Sequence, residues 1–145
     1  MMLTDATATA TVGARLAPLL RPGDVVTLDG PLSAGKTTLV RGLIGALGHE
    51  GEVPSPSFAI VQPYEALVPP VWHVDLYRIE DSGELAELGL DDIEEQGVLL
   101  IEWPGRAGHG AWPEALALSL GVDENGSRVL TAVVPAAWEG RWPLP

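Results

Sequence analysis

Eight residues beginning at Gly30 read G-P-L-S-A-G-K-T, and no other feature limits what this chain can fold into as sharply. A glycine at each end of a short loop, followed at once by lysine and threonine, suits a backbone whose N–H groups close around phosphate oxygens. The flanks agree: Val25 to Leu28 reads as a buried strand, and Lys36 to Leu47 carries a helical pattern that Gly48 ends. A loop between strand and helix brings the helix dipole to bear on an anion, which separates it from a glycine-rich turn that merely caps a helix. The expected nucleotide contacts are Gly30, Leu32, Ser33, Ala34, Gly35, Lys36, Thr37 and Thr38. Lys36 would reach the β- and γ-phosphates of a nucleoside triphosphate, and the Thr37 hydroxyl would coordinate its magnesium ion.

The remaining pattern predicts an α/β fold, a P-loop NTPase-like three-layer domain with a mixed central sheet, spanning residues 1 to 145 as one unit. A helix is expected over Ala8 to Leu20, stopped by Arg21-Pro22-Gly23-Asp24, while residues 1 to 6 suit either a short edge strand or a frayed end. Strands are expected at Ser57 to Tyr64 and Val71 to Leu76, with two short acidic helices around Gly89 within Asp81 to Gln96. The apolar run Val98 to Ile101 reads as a central parallel strand. Ala115 to Leu120 and Arg128 to Val134 form a hairpin with Asn125-Gly126 at its tip.

Hydrolysis requires a carboxylate to complete the metal site and a group to orient water, so acids at strand ends are the natural candidates. Glu102 follows Val98 to Ile101, and Asp75 follows Val71 to Val74. Either could instead serve as a capping or turn carboxylate. Lys36, Asp75 and Glu102 are therefore the candidate catalytic residues, with Thr37, Glu102 and Asp75 the candidate metal-linked ones. His73 shares a strand face with Asp75 and suits a structural role, a proton carrier or a partner behind the site. Trp103 suits core packing or a lid. The stretch from Ser55 to Phe58 could be a plain loop, or its hydroxyls at Ser55 and Ser57 could form a switch that senses a γ-phosphate.

Charge narrows the partners. With 20 acidic against 8 basic residues the formal net charge is -12, which repels a polyphosphate backbone. Ten acids and only Arg78 as a cation lie between residues 75 and 102, a solvated face or one suited to a basic partner. The only lysine is Lys36. The absence of cysteine excludes disulfides, thiolate metal sites and cysteine nucleophiles. No apolar run approaches membrane-spanning length and the N-terminus has no signal-peptide pattern, so a cytoplasmic location is expected.

Beyond the loop, the chain carries R-P-G-D-V-V at 21 to 26, R-G-L at 41 to 43, V-P-S-P-S-F at 53 to 58, H-V-D-L-Y-R at 73 to 78, E-L-G-L-D-D at 87 to 92 and I-E-W-P at 101 to 104. In order and spacing these resemble the TsaE family, also called YjeE, the small ATPases of bacterial tRNA threonylcarbamoyladenosine synthesis. The resemblance implies ATP and magnesium as substrate and cofactor, metal-linked roles for Thr37 and Glu102, and an acid needed for hydrolysis at Asp75. It also implies TsaD and TsaB as partners, with TsaD the transferase. Thr9, four residues before Gly13, resembles the family's pattern and becomes a candidate nucleotide contact. Ser33 stands where the family usually has a third glycine, and a left-handed backbone there would cost a non-glycine residue roughly 1 to 2 kcal/mol. Ser57 replaces the more usual threonine and keeps its hydroxyl, and Pro31 replaces an acid.

Two other functions share the loop. A small-molecule kinase needs an acceptor pocket and an arginine-bearing lid, whereas the arginines here are scattered along the sequence. A non-hydrolysing, nucleotide-responsive binding module would need only the loop. A GTPase is a weaker reading still, since its guanine-reading N-K-x-D motif is impossible here: the only asparagine is Asn125 and the only lysine is Lys36.

Overall fold

The computed structural model describes residues 2–31, 35–51, 53, 60–108 and 111–142. Among these, seven strands form one sheet: β1 (Met2–Leu3), β2 (Val25–Asp29), β3 (Val61–Tyr64), β4 (Val71–Asp75), β5 (Val98–Glu102), β6 (Leu116–Val122) and β7 (Arg128–Val133). Their order is β1-β7-β6-β2-β5-β4-β3. The four central strands β6, β2, β5 and β4 run parallel, and β1, β7 and β3 are antiparallel to their neighbours. β5, the expected central parallel strand, lies between β2 and β4 and is buried along its whole length.

Burial on both faces explains the near-continuous apolar runs of β2 and β5. Val26, Leu28, Val98 and Leu100 pack with Val12, Leu16, Leu39, Leu43 and Ile44 from α1 (Ala6–Leu16) and α2 (Lys36–Ala46). Val25, Leu99 and Ile101 turn the other way, toward Leu90 of α4 (Leu90–Gln96), with Leu85 of α3 (Ser82–Glu87) packed at the margin. The three layers expected from the sequence are thus helices, mixed sheet and helices. Each fully buried Leu or Ile contributes about 1.5–3 kcal/mol relative to an exposed one.

Helices α1 and α2 touch backbone to backbone. A Cβ on Gly13 would lie 2.0 Å from the Leu39 carbonyl oxygen, and one on Gly42 would lie 2.1 Å from that of Ala10. Only glycine permits this crossing, which seats the start of α1 beside the loop that precedes α2.

Three boundaries differ from expectation for identifiable reasons. Helix α1 starts at Ala6 because Asp5 caps it, accepting the Ala8 N–H at 2.8 Å, and gives way to a 3-10 turn at Ala17–Leu19 around Pro18. Met2 and Leu3 take the edge-strand alternative, paired with β7. β3 starts at Val61 because Ile60 has φ 62, outside the extended region; residues 54–59 lie outside the described residues. The hairpin of β6 and β7 is as expected, its turn held by Asp123, whose carboxylate accepts the N–H groups of Asn125 and Ser127. No helix among the described residues is long and apolar enough to cross a membrane.

After β7 the chain returns to the core. Trp138 is fully buried, and Arg141 donates to both oxygens of Asp24, at 2.7 and 3.0 Å.

Candidate functional site

Side chains alternate faces along a strand, so parity decides where the candidate acids point. Val71, Val98 and Leu100 face the α1–α2 layer. His73 and Asp75 share the parity of Val71, and Glu102 shares that of Leu100, so all three lie on that face. The parallel register of β4 and β5 sets Asp75 beside Glu102 at the C-terminal ends of the two strands. β2 ends at the same edge, with Leu28 opposite Glu102, and leads into the loop before α2.

Lys36 opens α2 immediately after Gly35, whose φ of 106 is a conformation that favours glycine. Among the described residues no side chain caps this helix start and no acid occupies its first turn, which leaves its N–H groups directed at the loop. The Lys36 side chain is buried. Its ammonium donates to the Gly30 carbonyl at 2.6 Å and lies 3.7 Å from the centroid of the Trp103 ring. Burial lowers the Lys36 pKa from its ordinary 10.5, opposed by the negative charges of Glu102, Asp29 and Asp75, in that order of strength. Three carboxylates thus act on the charge of the lysine.

Glu102 is 4% exposed and its Oε2 lies 2.6 Å from Nε2 of His73, which is wholly buried. A side-chain pairing, not a cap, therefore occupies one oxygen of this acid. Asp75 is half-buried and also serves its turn: Oδ1 accepts the Tyr77 N–H at 2.9 Å. Trp103 takes the packing role expected for it and also contacts the lysine. It packs at the margin of the second core cluster while covering Lys36, and it has a left-handed backbone with φ 60.

Thr9 is buried and stands next to the loop, its Cγ2 3.4 Å from where a Cβ on Gly35 would lie. Thr37 and Thr38 are half-buried in the first turn of α2. Leu32, Ser33 and Ala34 of the loop, and Ser55 and Ser57 of the suggested switch, lie outside the described residues.

These residues fit a magnesium nucleotide in kind. Among the described residues no group of three His, Asp or Glu side chains could hold a metal alone. Magnesium characteristically takes one or two protein oxygens and fills its shell with phosphate and water, a requirement that Thr37 with Glu102 or Asp75 can meet.

Sequence reasoning passed over Asp29 and Tyr77. The Asp29 carboxylate accepts the Gly30 N–H at 2.9 Å at the mouth of the loop. Tyr77 meets Trp103 at a tilt of 51° with ring centroids 4.9 Å apart, and the Arg106 guanidinium lies 5.6 Å from the Tyr77 centroid. Their signals were present: an acid ending a strand, and a tyrosine inside H-V-D-L-Y-R.

Comparison with known proteins bears on the family and the fold. A family model described as threonylcarbamoyl adenosine biosynthesis protein TsaE matches residues 3–130. The tRNA threonylcarbamoyladenosine biosynthesis protein TsaE of Bacillus subtilis is 48% identical over 88 residues, covering 60% of this chain and 54% of the relative. Its counterpart in Streptomyces coelicolor is 47% identical over 95 residues, covering 63% and 64%. The Haemophilus influenzae counterpart is 42% identical over 92 residues, covering 63% and 58%. The matches thus span between 54% and 64% of these relatives' lengths. The crystal structure of Bacillus subtilis YdiB superposes with a TM-score of 0.81 at 30% identity, covering 97% of this chain and 88% of that one.

Proposed function

The chain belongs to the TsaE family, and from that premise we propose that it binds ATP with magnesium at the loop before α2 and hydrolyses it. The hydrolysis would support tRNA threonylcarbamoyladenosine formation by TsaD and TsaB in the cytoplasm. One observation carries this reading: the buried Lys36 at the start of α2 faces Glu102 and Asp75, which end adjacent parallel strands. An anion-binding helix start opposed by paired carboxylates suits a polyphosphate and its counter-ion, since each element alone leaves an uncompensated charge.

In this reading Lys36 offsets charge on the β- and γ-phosphates, and the N–H groups at the start of α2 hold phosphate oxygens. Bound magnesium supplies a positive charge against the phosphates as the terminal bond breaks. Glu102 and Asp75, with Thr37, are the protein groups that can hold that ion and orient water. His73 holds Oε2 of Glu102, which leaves Oε1 for this work. Thr9 lines the loop from α1.

An acidic chain is a poor direct ligand for tRNA, and the ten acids between residues 75 and 102 support contact with partner proteins instead. Phosphate release from ATP, measured with and without TsaD and TsaB, tests the proposal. Partner-stimulated release supports it. Phosphorylation of a metabolite would establish the kinase reading, and nucleotide binding with no release under either condition would establish a non-hydrolysing module.

A further inference from the structure

Two opposite charges share the buried side of this site without pairing. Among the described residues, neither a hydrogen bond nor an ion pair joins Lys36 to Glu102. Each is held by a different group: the ammonium by the Gly30 carbonyl and the Trp103 face, the carboxylate by His73. Yet Glu102 is the acid that acts most strongly on Lys36. A buried carboxylate and a buried ammonium on the same side of a sheet attract, because little water screens them. Something must hold them apart for both to remain available.

We propose that His73 is a positioning residue that holds Glu102 away from Lys36, so that the lysine stays free to meet an anion. With Glu102 ionised, His73 Nε2 carries the hydrogen of the 2.6 Å bond and ties down Oε2. The imidazole is itself fixed by burial in the sheet, at a β4 position paired with Leu100. Its Nδ1 has no hydrogen-bond partner among the described residues. A histidine that only satisfied itself in the core would engage both nitrogens. Among the described residues this one spends its single bond on the carboxylate. Removing the imidazole frees Oε2 in a place with little water, and the Lys36 ammonium becomes the donor it turns to.

The inference rests on the proposed function only in supposing that the anion is a nucleotide, and its test has an arm that needs none. Because Lys36 is the only lysine, protein made with nitrogen-15 lysine gives one side-chain ammonium signal. We expect His73→Leu to shift that signal at fixed pH and temperature, and the same change in a Glu102→Gln background to leave the background's signal in place. His73→Gln, whose amide can donate from a position near the imidazole Nε2, should keep the wild-type signal. If His73→Leu does not fold, His73→Asn replaces it, since its shorter amide falls short of Glu102. In the second arm, affinity for a non-hydrolysable ATP analogue should fall about tenfold in His73→Leu and be unaffected by that change in the Glu102→Gln background. An unmoved lysine signal in folded His73→Leu, or an equal shift in both backgrounds, overturns the positioning role. Absence of analogue binding by the wild-type protein, with the lysine shift present, overturns the nucleotide reading and leaves the positioning role standing.

Discussion

The Lys36 ammonium lies 3.7 Å from the centroid of the Trp103 ring, so the only lysine of the chain is covered by an aromatic face. Such a contact is worth about 0.5–2 kcal/mol as the cation loses water. We expect Trp103→Leu and Lys36→Met to be coupled by about 1 kcal/mol in a double-mutant cycle read by urea unfolding. Additive effects would show that the ring packs there without attracting the charge.

The two strand-end acids should separate binding from turnover. Lys36→Ala should abolish binding of magnesium ATP. Glu102→Gln and Asp75→Asn should retain it within a few-fold while phosphate release falls roughly 100-fold, the lower end of what a positioned acid or base contributes. Single-turnover assays with titrated nucleotide check this. Unchanged release in either acid variant removes that residue from the chemistry.

Two glycines in or against the same helix should respond oppositely. Gly13→Ala places a Cβ 2.0 Å from the Leu39 carbonyl oxygen and should destabilise the fold by about 1–3 kcal/mol. Nucleotide affinity should fall with it, because Thr9 rides on α1. Gly45→Ala meets nothing within 4 Å and should stabilise α2 by about 0.5–1 kcal/mol. Denaturant midpoints compare the two directly.

Glu94 gives a prediction in pH. Burial, then repulsion from Asp91 and Glu95, raises its pKa above the ordinary 4.5. The folded chain therefore holds this proton more tightly than the unfolded one. The resulting stabilisation is complete below pH 4.5 and is lost as pH rises through the higher folded value. Glu94→Gln should thus raise the melting temperature at pH 7 and change it little near pH 4. An equal gain at both would assign it to something other than the charge.

Much of this site was legible because its signals are local. The loop, the helix behind it and the acids closing Val71 to Val74 and Val98 to Ile101 each lie within a dozen residues, where spacing and periodicity speak directly. The bond between His73 and Glu102 did not, because it exists only once β4 lies in register beside β5. The clamp of Arg141 on Asp24 joins residues 117 apart. Ile60, inside an expected strand, has a left-handed backbone conformation, which no side-chain pattern records. Trp103 was readable as apolar and beside an acid, but its place over Lys36 follows from a left-handed turn after β5.

His73, Asp75 and Glu102 owe their common direction to strand parity alone. Deleting or inserting one residue upstream of them within β4 or β5 would send them to the opposite face, even with every functional residue retained. Apolar-for-apolar substitutions along these strands change packing and stability but leave that direction unchanged. Across relatives, then, the apolar positions of β4 and β5 should exchange among apolar residues while tolerating no indels, so that the spacing between strand start and acid is inherited more strictly than the apolar residues that fill it.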